Sequence, residues 1–245
     1  MKTLILIPSR LSATRLPGKP LLKINGLSII SHVYKKAVEA NIGEVFVATE
    51  DQEIIDDINQ INGQAVLTNR NHKTGTDRIY EALIKIGKPN IDLIINLQGD
   101  EPLMDVSDIR KLHNQMVKTN SKLGTLASTI VDKNLYSDQN VVKVVTKESL
   151  ENSEFPEALD FTRKLINKNK NTYQHLGIYC YQSQTLERFV SLSQSKNEIN
   201  NKLEQLRALD NKIKINVLLA KETPRGIDTQ EDFLAIKKIM EYKSQ

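Results

Sequence analysis

Cysteine is nearly absent from this 245-residue chain, and tryptophan is wholly absent. The single Cys180 excludes an intrachain disulfide framework and any CxxC metal knuckle, and a cytoplasmic protein is the expectation. Aromatic residues make up only 5%, and the net charge is +4 with lysines scattered along the chain. That pattern fits solvated helix faces. A nucleic-acid surface needs a basic stripe interleaved with stacking side chains. No apolar run approaches the roughly 18–20 residues of a membrane span. The opening Met1-Lys2-Thr3-Leu4-Ile5-Leu6-Ile7 meets Pro8 too soon for a signal peptide and reads as a first buried strand. Glycine is sparse as well: no two of the ten lie closer than eight residues, so GxGxxG and a complete Walker A loop are both excluded.

What is present is an alternation of aliphatic runs and helical stripes. Leu4–Ile7, Val45–Ala48, Ala65–Leu67 and Leu93–Leu97 are short and continuous, as buried parallel strands are. Between them Ile29, Ile30, Val33 and Ala37 share one helix face, as do Ile54, Ile55 and Ile58. Ile79, Leu83 and Ile86 form a third stripe, stopped by Gly87-Lys88-Pro89. The alternation predicts an α/β fold with a mostly parallel sheet, helices on both faces, and a site at the strands' C-terminal ends. The second half is less regular. Strands are expected at Thr125–Val131, Val141–Thr146, His175–Tyr181 and Ile213–Leu219. Helices are expected at Glu187–Ser193, Ile199–Asp210 and Thr229–Glu241, the last capped by Thr229, and a polar loop at Lys164–Asn171. One domain over residues 1–245, with an inserted subregion at roughly 132–212, is the economical organisation.

Two segments carry chemistry. After the first strand comes Pro8-Ser9-Arg10-Leu11-Ser12-Ala13-Thr14-Arg15-Leu16-Pro17-Gly18-Lys19-Pro20. Arg10, Arg15 and Lys19 among small hydroxyl residues suit a polyphosphate; a plain basic surface loop is the alternative. The run Leu93–Leu97 then delivers Gln98-Gly99-Asp100 to a strand tip. Asp100 there suits a metal-binding carboxylate, since Mg²⁺ takes one or two carboxylates plus phosphate oxygens. A turn aspartate capping the next helix competes with that reading. Asp228 in Gly226-Ile227-Asp228-Thr229, taken alone, reads better as a helix cap than as a ligand.

These residues carry a resemblance. Ile7-Pro8-Ser9-Arg10 through Lys19-Pro20-Leu21, Thr74-Gly75-Thr76-Asp77-Arg78 and Asn96–Pro102 resemble the 3-deoxy-manno-octulosonate (Kdo) cytidylyltransferase family. So do Asn140–Val145, Phe161-Thr162-Arg163, His175–Tyr179, Leu203–Arg207 and Ile227-Asp228-Thr229, in the same order along nearly the whole chain. The resemblance implies a Rossmann-like nucleotidyltransferase sheet with an inserted sugar-binding and dimerisation subregion. It implies the reaction CTP + Kdo → CMP-Kdo + diphosphate, Mg²⁺ as cofactor and a homodimer. It assigns Arg10, Lys19, Asp100 and Asp228 to catalysis, with both acids on the metal. It places Pro8, Ser9, Arg10, Ser12, Thr14, Arg15, Lys19, Thr74, Gly75, Thr76 and Gln98 on the nucleotide. Arg78, Gln98, Arg163, His175, Tyr179, Glu204 and Gln205 fall on the sugar acid. Bland readings stand beside these: Glu204 and Arg207 as a helix ion pair, His175 and Tyr179 as core or dimer contacts, Cys180 as packing. Two departures from the family pattern are Arg163-Lys164-Leu165-Ile166-Asn167, which lacks a proline, and Gln230 in place of proline at a helix start. Another sugar acid, such as 8-amino-Kdo or a nonulosonic acid, and a non-catalytic nucleotide-binding module are the competing functions.

Overall fold

The computed structural model describes residues 1–12, 15–164, 171–224 and 226–242. The chain forms two compact units, residues 1–110 with 224 onward, and residues 111–223. In the first, strand β1 (Thr3–Ser9) leads through a 3-10 turn (Lys19–Leu21) and a hairpin, β2 (Lys23–Ile24) and β3 (Leu27–Ser28), to helix α1 (Ile29–Ala40). Asn25 and Gly26, at φ 48° and 80°, turn that hairpin. There follow β4 (Glu44–Thr49), α2 (Gln52–Gln60), β5 (Ala65–Leu67), α3 (Gly75–Ile86), β6 (Leu93–Asn96) and α4 (Val106–Thr119), which runs past the unit boundary.

The strands pair in parallel in the order β6-β1-β4-β5, with Ile5 of β1 opposite Val45 on one side and Ile95 on the other. Aliphatic residues along β1, β4 and β6 are essentially solvent-free, as expected of strands covered on both faces. Ser28 caps α1 by accepting from the Ser31 N–H, and Thr74 caps α3 by accepting from the Asp77 N–H. Helix α3 stops at Gly87, whose φ of 63° an L side chain rarely adopts. The chain leaves β1 toward β4 and returns from β5 to β6 on β1's other side. That reversal opens a crevice beyond the C-terminal ends of β1 and β6, where α/β sheets bind ligands.

The second unit holds β7 (Leu123–Ser128), β8 (Lys143–Thr146), β9 (Ala158–Thr162), β10 (Thr172–Gln182), α5 (Ser183–Ser191), α6 (Lys196–Asn201), α7 (Gln205–Asp210) and β11 (Asn216–Leu219). β7 runs parallel to β11 and antiparallel to β10, and β8 is antiparallel to both β10 and β9. The helix expected over Ile199–Asp210 is two helices. A Ser195–Glu198 capping box starts α6, and Lys202 at φ 53° ends it. β7 is shorter than expected because its partners stop at Ser128, leaving Val131 exposed. Of the expected polar loop, residues 165–170 lie outside the described residues.

Candidate active site

A cleft of about 320 Å³ occupies the crevice in the first unit. Pro8 and Ser9 reach it from the end of β1, Arg10 and Arg15 from the loop after β1, and Lys19 from the 3-10 turn. Thr74, Gly75 and Arg78 reach it from the start of α3, and Gln98, Gly99 and Asp100 from the tip of β6. Asp228, just before the closing helix Gln230–Tyr242, completes the wall. Ser12 and the buried Thr76 do not line the cleft, and Thr14 lies outside the described residues. The Ser9 hydroxyl is buried with no hydrogen-bond partner among the described residues. A buried polar atom of that kind points to a ligand or water oxygen.

Local packing explains how distant residues meet. Leu16, Ile24 and Ile29 form one apolar cluster with Ile227, Phe233 and Ile236, so the loop after β1 and the closing helix share a small core. Thr229 caps that helix: its hydroxyl oxygen accepts from the Asp232 N–H, and the Asp232 carboxylate accepts from the Thr229 N–H. Gln230 therefore starts the helix without proline's help. Gly18 at φ 69° turns the chain into the 3-10 turn that carries Lys19. The Lys19 ammonium then donates to Asp100 Oδ2 at 2.7 Å and to the Ile227 carbonyl at 2.6 Å, and lies 3.5 Å from Asp228 Oδ1. Arg15 pairs with the same Asp228 oxygen at 3.0 Å. Gly99 is packed so closely that an added Cβ would stand 3.0 Å from the Pro8 carbonyl oxygen.

Arg78 is 3% exposed. Its guanidinium donates to Thr68 Oγ1 at 2.6 Å and the Asn69 carbonyl at 3.3 Å, and pairs with Glu50. Glu50 is 28 positions away, and sequence reasoning passed over it. His72 and Lys73, two further cleft residues, were also passed over, although they directly precede Thr74. His72 pairs with Glu81 of α3. Burial works to raise the Glu81 pKa, but hydrogen bonds from Lys85, the Asn69 N–H and His72 outweigh it and bring the carboxyl to about 2.

In the second unit, Tyr179, Glu204 and Gln205 line one small cavity, and the Gln205 amide donates to the Tyr179 hydroxyl at 2.5 Å. His175 stands beside Tyr179, ring centres 5.5 Å apart. Its burial pushes the imidazole pKa down to about 3. The Thr125 hydroxyl donates to the Ile178 carbonyl at 2.6 Å, leaving its oxygen to accept from His175 Nε2–H at 3.0 Å. A neutral ring fits that arrangement. Arg163 donates to the Gln139 and Asn140 carbonyls. Its own carbonyl accepts from the buried Lys143 ammonium, so the departure from the family pattern begins on a fixed residue. Arg207 makes a bidentate pair with Glu198, at 2.8 and 2.6 Å, and lies over the Phe189 ring.

Residues 4–215 match the cytidylyltransferase family. The chain is 39% identical to a 3-deoxy-manno-octulosonate cytidylyltransferase of Nitrobacter winogradskyi over 241 residues, covering 98% of this chain and 94% of that one. The chain belongs to the 3-deoxy-manno-octulosonate cytidylyltransferase family. A member from Thermodesulfovibrio yellowstonii is 41% identical over 251 residues, with 98% of each chain covered. A solved structure described as CMP:2-keto-3-deoxy-manno-octonic acid synthetase complexed with CTP matches with a TM-score of 0.89 at 34% identity, covering 99% of this chain and 100% of that one. The α/β fold class, with its mostly parallel central sheet, is therefore that of this cytidylyltransferase family. Among the described residues no helix is long and apolar enough to cross a membrane.

Proposed function

We propose that this chain joins CTP to Kdo, giving CMP-Kdo and diphosphate, in the supply of activated sugar for bacterial lipopolysaccharide. One observation carries the reading: in a cytidylyltransferase cleft, Arg10, Arg15 and Lys19 stand with Asp100 and Asp228 at the switch point of the sheet. The nucleotide's triphosphate brings roughly four negative charges, so positioning and electrostatics dominate the chemistry. Arg10 and Arg15, both exposed, and Lys19 supply the opposing charge. The buried Ser9 hydroxyl takes a ligand or water oxygen. Thr74 and Gly75, at the positive end of α3, read the cytosine through backbone and hydroxyl groups, while the buried Thr76 stands behind them outside the cleft lining.

The anomeric hydroxyl of the sugar acid attacks the α-phosphorus in line. The new oxygen–phosphorus bond forms as the bond from the α-phosphorus to the α–β bridging oxygen breaks, the hydroxyl proton passes to solvent, and diphosphate leaves. Arg78, a buried cation in the cleft, and Gln98 are the first unit's candidates for the sugar acid. Arg163, His175, Tyr179, Glu204 and Gln205 are the second unit's. A neutral His175 hydrogen-bonds a sugar hydroxyl without adding charge. Among the described residues no three His, Cys, Asp or Glu side chains gather into a metal cage. Asp100 and Asp228, with the Ile227 carbonyl beside them, nevertheless offer the hard oxygens that Mg²⁺ takes while phosphate and water complete its shell. When bound, Mg²⁺ supplies charge neutralisation on the phosphates and polarises the attacked phosphorus. The proposal extends to a cytoplasmic homodimer, the location that the lone buried Cys180 favours and the state that family membership favours.

The test is diphosphate release from CTP with Mg²⁺, with Kdo, 8-amino-Kdo or a nonulosonic acid, and with no sugar. Release that requires Kdo is the expected result. Release with a different acid alone would reassign the substrate. No release with any acid would leave a nucleotide-binding module.

A further inference from the structure

Lys19 is held in an arrangement that a phosphate-binding lysine alone does not require. Its ammonium has three donors, and three oxygens surround it: Asp100 Oδ2, the Ile227 carbonyl and, more distantly, Asp228 Oδ1. The side chain is only 12% exposed, so water screens these contacts weakly. Its backbone is fixed by the Gly18 turn, the buried Pro20 and the anchoring of Leu16 in the apolar cluster. The four-carbon stem beyond that anchor is free to re-aim.

We infer that Lys19 is a resident counter-ion for Asp100 and Asp228, excluding a divalent cation from them until the nucleotide's phosphates draw the ammonium away. The inference rests on the reading of the two acids as cation ligands. An ammonium and a divalent cation need the same carboxylate oxygens, so the two occupy the site in turn. Without nucleotide, Lys19 between the two acids and Arg15 on the outer side of Asp228 together balance the two carboxylate charges, and Lys19 keeps the acids from repelling each other. With nucleotide, the triphosphate offers the ammonium a new anionic partner and the acids become available. Cation uptake is thereby coupled to nucleotide binding, and by linkage each favours the other. Lys19 serves in this way as a positioning residue for the acids as well as a phosphate contact.

The test is Mn²⁺ binding to metal-stripped enzyme without nucleotide, read by the electron paramagnetic resonance of free Mn²⁺. Lys19→Met is expected to bind Mn²⁺ about tenfold more tightly than wild type or better, the equivalent of one charge-assisted hydrogen bond no longer competing. The added substitution Asp100→Asn is expected to abolish the gain. Lys19→Gln, which keeps a polar group beside the acids, provides the same comparison should the methionine variant fold poorly. Mn²⁺ is also expected to raise the melting temperature of Lys19→Met more than that of wild type. Equal or weaker Mn²⁺ binding in both lysine variants overturns the counter-ion role. If that binding still depends on Asp100, the cation-ligand reading survives. If Asp100→Asn in the wild-type background leaves Mn²⁺ binding unchanged, that underlying reading fails as well.

Discussion

Gly99→Ala isolates the geometric demand behind the site. An alanine Cβ at this position would stand 3.0 Å from the Pro8 carbonyl oxygen, 3.1 Å from Ile30 Cδ1 and 3.5 Å from Ile7 Cγ2. The isoleucine tip can rotate aside. The Pro8 carbonyl is less free to move, because Pro8 lies within β1 in register with Ala48 of β4. The strain therefore falls on the segment after β6, whose next residue is Asp100. Asp100 is itself held at two points: its carbonyl accepts from the Ile227 N–H at 3.0 Å and its carboxylate accepts from Lys19 at 2.7 Å. Overpacking of this kind costs about 1–3 kcal/mol. At about 2–4 °C per kcal/mol for a chain of this size, the melting temperature should fall by roughly 2–12 °C. A shift of a few tenths of an ångström at Asp100 should lower kcat about tenfold, since a 1 Å misplacement costs about a hundredfold. Thermal melting and steady-state diphosphate release measure the two effects. Wild-type melting together with wild-type kcat would refute the argument that Gly99 is required for close approach.

Three further outcomes follow from the site. Asp100→Asn and Asp228→Asn should each lower kcat by about a hundredfold or more at saturating Mg²⁺, and the two losses should not add because one site is shared; near-normal turnover in either variant counts against the shared site. Gln205→Leu removes the donor to the Tyr179 hydroxyl and should raise the KM for Kdo about tenfold, in line with one lost buried hydrogen bond, with the KM for CTP nearly unchanged. His175 titrates near 3 in the fold against an ordinary 6.5, so between those values the unfolded chain binds the extra proton. Stability should fall as pH drops from about 6.5 toward 3, by up to about 1.4 kcal/mol per unit. Urea unfolding at several pH values should show a shallower dependence in His175→Gln; an unchanged slope would remove His175 as the cause.

The parallel strands of the first unit were readable because each is a continuous aliphatic run with a turn signal after it, as Leu93–Leu97 before Gly99 illustrates. A helix after Asp100 was expected only as what a turn aspartate would cap, and the span of α4 was not given, although Ile109, Leu112 and Met116 are buried at near-helical spacing. β9 has no such stripe. Ala158 and Phe161 face inward while Leu159 and Asp160 do not, and a register shift between Val145 and Thr146 of its partner breaks the alternation. α6 ends at a lysine in the left-handed region, where neither glycine nor proline announces the stop. In the site, charge and spacing alone singled out Arg10, Arg15, Lys19 and Asp100. Asp228 read as a cap until the family resemblance was added, because what joins it to Lys19 is the apolar cluster of Leu16, Ile227 and Phe233. The competing helix pair of Glu204 and Arg207 overlooked Glu198, nine residues before Arg207, as the arginine's bidentate partner. Long-range partners such as Glu50 for Arg78 leave no local signal.

The central claim is that the anomeric oxygen of a sugar acid attacks the α-phosphorus of CTP in this cleft. Phosphorus NMR of a reaction containing CTP, Mg²⁺ and Kdo carrying ¹⁸O at the anomeric position tests it most directly. The account predicts one new phosphodiester resonance, isotope-shifted by the label, with diphosphate appearing in equal amount and neither forming without the sugar. Diphosphate accompanied by free CMP, or a phosphodiester without the isotope shift, would contradict it.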